Sequence, residues 1–258
     1  MADQALTGKR ALITGAAGGI GFAVARAFAA AGAQVLLTDV EPPVADFAAA
    51  LDSPSAVVDL IDRTAVADLV QAAPGILGGP LTTVVHSAAA LAVGPIGIID
   101  DAEWDRLVAV NLTGTMALLR AAIGVVADDG SITVVSSNSA ATPRIGLGAY
   151  GATKAAVISL VRSAGLELAA RGVRCNIITP GSTDTAMLRG MWPDSVPPEH
   201  SAAGVIAGTA EQFRLGIPLG RLASPDDIAA SAVFLASDAS RHITLHDLRV
   251  DGGATLDQ

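Results

Sequence analysis

The sequence predicts a single α/β domain, a doubly wound parallel sheet with helices on both faces. Three observations carry that expectation. Aliphatic and β-branched bursts alternate with helical segments along all 258 residues, the rhythm that generates right-handed βαβ crossovers. A glycine-rich stretch separates the first burst from the first helical segment. The composition is 51% apolar but only 3% aromatic, an aliphatic make-up suited to strands buried on both faces.

Taken in order, "RALIT" (10–14) reads as the first strand and "GIGFAVARAFAAAG" (19–32) as an alanine-rich helix stopped by glycine. The strand pattern recurs in "QVLLTD" (34–39), "SAVVD" (55–59), "TTVVHS" (82–87), "SITVVSS" (131–137) and "VRCNIIT" (173–179). Helical patterns occupy 62–72, 101–126, 149–170 and 225–236, and "ITLHDLRV" (243–250) reads as a last strand. No break in composition divides the chain, so 1–258 is read as one domain. The rhythm fails once, from Ser182 to Pro218, where Pro193, Pro197 and Pro198 interrupt short helical pieces. An irregular excursion of that length inside a compact domain is expected to be a substrate-binding lid.

Charge and cysteine content narrow the function. A formal charge of −9 argues against nucleic acid, which requires a basic face. Cys175 is the only cysteine, so no intrachain disulfide or zinc cluster forms, and its setting in "GVRCNII" suggests a buried, inert thiol. The start "MADQALTGKR" lacks a signal-peptide pattern. Arg26 interrupts the first long apolar helix, and no run is read as membrane-spanning. The expectation is a soluble, cytoplasmic protein. His242 and His246 would lie about 13 Å apart on a strand, too far to share one metal ion, so no metal is expected.

"TGAAGGIG" (14–21) lies between the first strand and the first helix. Its glycines permit a tight turn and let a pyrophosphate approach the helix N-terminus, the mark of a Rossmann-type dinucleotide site. Asp39 closes the second strand, 18 residues beyond Gly21, placed to accept hydrogen bonds from an adenosine ribose. The same carboxylate repels a 2′-phosphate, and no Arg or Lys follows it directly, so NAD is expected rather than NADP.

In "GAYGATKAAV" (148–157) Tyr150 and Lys154 are four apart and share a helical face. A nearby ammonium favours the phenolate, making Tyr150 a usable base for an alcohol proton. Ser137, thirteen positions earlier, ends a strand where its hydroxyl could hold the substrate oxygen.

With these residues in view, the whole chain resembles the short-chain dehydrogenase/reductases, whose motifs map onto Thr14–Gly21, Asn111 in "NLTG", Ser137, and Tyr150 with Lys154. The resemblance implies that Tyr150 takes the hydroxyl proton and Ser137 orients the oxygen. Lys154 holds the nicotinamide ribose, and the Asn111 main chain supports a water-linked proton relay. It further implies cofactor contacts from Gly15, Gly19, Ile20, Gly21, Asp39, Asp59, Ala88, Tyr150, Lys154, Pro180, Thr183 and Thr185. Where the family has N-N-A-G after the fourth strand, this chain has "HSAA" (86–89). Ala89 thus stands in place of a glycine beside the cofactor, and His86, in place of an asparagine, is expected to be structural.

Longer strings, "TPRIGLGAYGATKAA", "GLELAARGVRCN", "PGSTDT", "EQFRLGIPLGR" and "HITLHDLRVDGG", are similar to the branch of that family that oxidises 2,3-dihydro-2,3-dihydroxybenzoate in siderophore-type biosynthesis. This implies oxidation of the C3 hydroxyl of a cyclohexadiene carboxylate, driven by aromatisation. The carboxylate needs a cation. Arg144 is the first candidate and Arg189 the second, with Met187 and Trp192 as apolar walls. The branch carries a basic residue after the fourth-strand loop, where "ALAVGP" (90–95) has none. An amino-hydroxy congener, trans-2,3-dihydro-3-hydroxyanthranilate, therefore stays open as substrate. Two other readings are a non-catalytic dinucleotide sensor, which has no need of all four residues Asn111, Ser137, Tyr150 and Lys154, and an NADPH-linked ketone reductase, which Asp39 disfavours. The family resemblance also implies a homotetramer.

Overall fold

The computed structural model describes residues 4–193 and 195–256; Asp194, inside the expected lid, and both chain ends lie outside the described residues. Seven strands run in parallel in one sheet: β1 (Arg10–Thr14), β2 (Gln34–Asp39), β3 (Ser55–Val57), β4 (Thr83–His86), β5 (Ser131–Val135), β6 (Arg174–Pro180) and β7 (Asp247–Val250). Their spatial order is β3-β2-β1-β4-β5-β6-β7. The order reverses between β1 and β4, which pair from Ala11–Thr83 to Thr14–His86. At that reversal the two loops leave the sheet in opposite directions and open a crevice at its carboxyl edge.

Helices cover both faces. On one side α1 (Gly19–Ala30), α2 (Val44–Ala49) and α9 (Pro225–Ala236) seal an aliphatic core around Ile13, Val35, Leu37 and Val85. On the other, α3 (Arg63–Ile76), α5 (Thr115–Val125) and α6 (Gly148–Leu168) pack on Leu12, Val84, Ile132 and Ile177. Neighbouring positions of each central strand therefore feed opposite cores, the reason the strand sequences are apolar throughout rather than alternating. Cys175 sits in this core, and burial pushes its thiol up to about 12.

Helix starts follow local chemistry. Asp62 caps α3 by accepting from the Thr64 and Ala65 amides, and Ser224 caps α9 in a reciprocal box with Asp227. Preceding α5, α4 (Asp101–Leu107) runs into a π-helical segment (Val108–Gly114). Together they form one helix over 101–125 that contains an 18-residue stretch of mean hydropathy 1.5, long and apolar enough by length and composition to cross a membrane. That corrects the expectation that no run reaches such length. Leu107, Gly114, Leu118 and Ala122 of this helix are buried in the fold, the position of a core helix.

The last strand is shorter than expected. Residues 243–246 are held at β6 by a turn, with Leu245 at φ 61° and its amide donating to the Cys175 carbonyl at 2.7 Å. Left-handed backbone at a leucine cannot continue a strand. The irregular stretch over 182–218 contains α7 (Ala186–Arg189) and α8 (Pro198–Ala207), with Val205, Ile217 and Ala254 forming a small apolar cluster of its own.

Leu12, fully buried in β1, sets a test of this layering. Leu12→Ala is expected to lower the free energy of urea unfolding by about 2–5 kcal/mol. Ile98→Ala, at a side chain 77% exposed, should change it by under about 0.5 kcal/mol; equal losses would mean that the core is wrongly placed.

Candidate active site

The crevice between the β1 and β4 loops holds two adjoining cavities, of about 450 and about 230 Å³. Gly15, Gly18, Ser87, Ala89 and Met187 line both, so the two are continuous. At the far end of the larger one lie Asp39 and Asp59. The Asp39 carboxylate accepts from the amides of Ala17 (2.9 Å) and Glu41 (3.1 Å), which fixes it at the crevice mouth.

The glycine loop is built for close approach. Gly15 has φ 70°, and a Cβ there would lie 2.4 Å from the Ala88 nitrogen. A Cβ on Gly21 would lie 2.0 Å from the Gly15 carbonyl oxygen. Unlike α3 and α9, α1 starts at Gly18 with no side chain on its amides. Those free N–H groups and the positive end of the helix face the cavity that Gly19, Ile20 and Gly21 line. An uncapped N-terminus, a side-chain-free floor and a distal carboxylate fit a dinucleotide. Ala88, Pro180, Thr183 and Thr185 complete the walls. The Ala89 methyl is accommodated where the family has glycine.

In the smaller cavity the structure brings together Ser137, Tyr150 and Lys154. Gly151 makes this possible: a Cβ there would lie 2.7 Å from the Ser139 carbonyl, so only glycine lets α6 close on the turn that follows Ser137. Lys154 Nζ lies 5.7 Å from the Tyr150 ring centre and donates to the Val135 carbonyl at 3.1 Å. Burial lowers the Lys154 ammonium to about 8. Burial also raises the Tyr150 phenol to about 12, against the opposing pull of a hydrogen bond with Ser137 and of the Arg144 charge. The charge acting on Tyr150 is thus Arg144, whereas the sequence pointed to Lys154, and burial outweighs it.

Asn111 is buried at the centre of the π-helical segment. Its side chain accepts from the Ala90 amide (2.7 Å) and donates to the Ala90 carbonyl (2.9 Å), tying the β4 loop to this helix. His86 is equally buried, its Nδ1 2.6 Å from the Thr14 hydroxyl and its Nε2 2.8 Å from that of Thr115. Thr115 spends its proton on the Asn111 carbonyl (2.5 Å), so Nε2 carries the imidazole proton and Nδ1 accepts from Thr14. Burial, with Lys154 nearby, holds His86 down to about 3, a neutral ring.

Of the expected substrate contacts, Arg144 and Met187 line the smaller cavity, but Arg189 and Trp192 do not. Arg189 is turned to Asp184, with two contacts of 2.8 and 2.9 Å, because a surface carboxylate five residues earlier offers a bidentate partner. Among the lining residues that the sequence reading missed are Asn138 and Arg214. Asn138 donates to Asp251 (3.1 Å) and Thr255 (3.0 Å) and accepts from Arg144 (2.8 Å). Arg214 donates to the Ser182 hydroxyl at 2.9 Å. A lone cation inside the apolar run "FRLGIPLG" was the signal for it.

Comparison with known proteins agrees with this geometry. Residues 15–255 match a family model described as enoyl-(acyl carrier protein) reductase. The chain is 42% identical over 254 residues to the 2,3-dihydro-2,3-dihydroxybenzoate dehydrogenase of Escherichia coli (strain K12), covering 97% of this chain and 98% of that protein. It is 40% identical over 272 residues, the full length of both, to the vibriobactin-specific 2,3-dihydro-2,3-dihydroxybenzoate dehydrogenase of Vibrio cholerae serotype O1. A short-chain type dehydrogenase/reductase from Mycobacterium ulcerans superposes with a TM-score of 0.86 at 31% identity, over 98% of this chain and 92% of that one. With an uncapped helix over a glycine floor, a Ser–Tyr–Lys group in the adjoining cavity, and these relatives along its length, the chain belongs to the short-chain dehydrogenase/reductase family.

Proposed function

We propose that this oxidoreductase oxidises the C3 hydroxyl of 2,3-dihydro-2,3-dihydroxybenzoate to give 2,3-dihydroxybenzoate, using NAD, in siderophore-type biosynthesis. The observation that carries the proposal is the placement of Ser137, Tyr150 and Arg144 on one small cavity that opens into the dinucleotide crevice. A base, an oxygen-orienting hydroxyl and a cation are what a hydroxylated ring acid requires. The relatives named for this reaction span the whole chain.

Tyr150 Oη, as the phenolate left once its own proton has departed, accepts the proton of the C3 hydroxyl while the Ser137 hydroxyl donates to the same substrate oxygen and fixes it against the base. The cofactor, when bound, supplies the hydride acceptor. Gly19, Ile20 and Gly21 would hold its pyrophosphate on the α1 amides, Asp39 would take the adenosine ribose and Lys154 the nicotinamide ribose, and Thr183 and Thr185 would serve the nicotinamide carboxamide. The C3 ketone then tautomerises to the aromatic ring, which pulls the oxidation forward. The 182–218 segment acts as the lid that excludes water from this step. The preference for NAD rests on Asp39 with Glu41 beside it. The lone cation lining that cavity among the described residues, Arg106, is bound to Glu103 at 2.9 Å.

The active unit is a homotetramer. Half-buried β7 at the sheet edge and the exposed apolar side chains of Leu166, Phe234 and Leu256 support that reading; analytical ultracentrifugation giving a monomer would overturn it.

Tyr150→Phe is expected to keep NAD binding and lose turnover of the diene acid by at least about 10³-fold, read as NADH formation. Near-normal turnover would remove Tyr150 as the base. Because Tyr150 is the only tyrosine, tyrosinate absorbance reports it alone. The cofactor-free protein should titrate about 12 rather than at the ordinary 10. Its raised pKa stabilises the fold below pH 10, and that contribution is lost as pH rises from 10 through 12. A titration at 10 in the folded protein would contradict the buried site.

Cofactor choice is tested by kcat/KM, with NADP expected to be at least about a hundredfold poorer than NAD. Asp39→Ala should cut kcat/KM for NAD about tenfold and narrow the gap, since it removes charged hydrogen bonds and a repulsion together. An unaltered ratio would assign the preference elsewhere.

A further inference from the structure

The smaller cavity is lined by three cations, Arg144, Lys154 and Arg214, and by no Asp or Glu among the described residues. In a chain of net charge −9 that is a local inversion. We propose that Arg214, carried by the lid, joins Arg144 in a two-arginine clamp on the substrate carboxylate, and that the clamp selects a monoanionic dihydroxy acid over its zwitterionic amino congener. This rests on the reading of the chain as a dihydroaromatic acid dehydrogenase.

The two guanidinium groups have neutral partners only. Arg144 donates to Asn138 Oδ1 (2.8 Å) and Ser139 Oγ (3.1 Å), and Arg214 to Ser182 Oγ (2.9 Å). Among the described residues neither has a carboxylate within ion-pair distance, whereas Arg26, Arg106, Arg171, Arg189 and Arg221 each have one. A guanidinium offers five N–H donors, so both retain donors for a ligand. The pair also repel: burial and then the Arg214 charge lower the Arg144 pKa, against the smaller opposing pull of Asp251 and Tyr150. Two half-buried like charges held on one cavity wall form a site that an anion relieves.

Both groups are held from behind. Asn138 Nδ2 donates to Asp251 and Thr255, so its oxygen must face Arg144. Arg214 follows a tight hairpin in which Thr209 and Arg214 bridge, Phe213 has φ 53° and Gly208 has φ 81°. Its direction is therefore set by backbone geometry rather than by a free loop. The second arginine has a further use. A carboxylate bound to Arg144 alone would cancel the charge that favours Tyr150 ionisation. Sharing the carboxylate with Arg214 leaves part of the Arg144 charge to act on the phenol.

Selectivity follows from the same charges. An aliphatic amine at C2, beside the carboxylate, is an ammonium at neutral pH. It would face this cationic wall with no carboxylate to accept it, while a hydroxyl at C2 meets no such repulsion.

Calorimetric titration with 2,3-dihydroxybenzoate and with catechol, which lacks the carboxylate, reads the clamp without turnover. The acid is expected to bind at least about tenfold more tightly than catechol, the scale of a charged hydrogen bond. Arg214→Gln should shrink that preference to under about threefold, with catechol binding unmoved, and Arg214→Lys should restore part of it. An undiminished preference, or equal loss for both ligands, would overturn the clamp. In steady-state assays of the wild type, the dihydroxy diene acid should exceed the amino-hydroxy acid in kcat/KM at least about tenfold; equal values would overturn the selectivity. A wild type that binds the acid selectively but oxidises neither diene would defeat the dehydrogenase reading and leave the clamp standing.

Discussion

The imidazole of His86, buried between the hydroxyls of Thr14 and Thr115, joins the segments on which the site is built. Thr14 ends β1 and begins the glycine loop, His86 ends β4, and Thr115 begins α5 next to Asn111. The hydrogen bonds have only one direction. The Thr115 proton is spent on Asn111, so the ring donates from Nε2 and accepts at Nδ1 and must stay neutral. Burial, and then the nearby Lys154 charge, lower its pKa to about 3 from 6.5 and keep it so. Its contribution to folding is complete above pH 6.5 and lost as pH falls through 3. The imidazole bridges the two hydroxyls through its two ring nitrogens.

From this anchor the crevice divides by charge. The larger cavity carries Asp39, Glu41 and Asp59, with Arg106 tied to Glu103, while the smaller carries Arg144, Lys154 and Arg214 and no carboxylate among the described residues. In the proposed function the first suits an unphosphorylated ribose and the second a carboxylate. Overall net charge, dominated by the surface, says nothing of that inner gradient.

Much of the fold was legible because its signals are local. β1 and β2 coincide with the apolar bursts at 10–14 and 34–39, and α9 begins where Ser224 and Pro225 cap and start it. The glycine loop, Ser137, Tyr150 and Lys154 were legible for a similar reason: a turn, a strand end and a helical spacing place them without knowledge of distant contacts. Arg214, Asn138, Arg189 and Trp192 were not. Their positions depend on the path of 182–218 and on the chain end that returns Asp251 and Thr255 beneath Asn138. Sequence spacing carries no information on either. The strand expected from 243 failed on one leucine in left-handed backbone, a tertiary demand imposed by β6.

The clearest lesson concerns Tyr150. The i, i+4 rule correctly made Lys154 its helical neighbour, with Nζ 5.7 Å from the ring, but proximity did not translate into control of its ionisation. Lys154 is itself buried and committed to the Val135 carbonyl, and its ammonium is weakened by the same low-dielectric surroundings that penalise the phenolate. The opposing pull comes instead from Ser137 and from Arg144, across the cavity mouth. Burial still wins in the bare protein, which keeps the phenol protonated at neutral pH. For the proposed reaction the phenol must first shed its proton, and Ser137 and Arg144 are the groups that favour that loss. A buried, protonated tyrosine beside Arg144 and Lys154, with the Arg144 charge itself partly offset by Asp251, is a group whose ionisation depends on what fills the adjoining cavity.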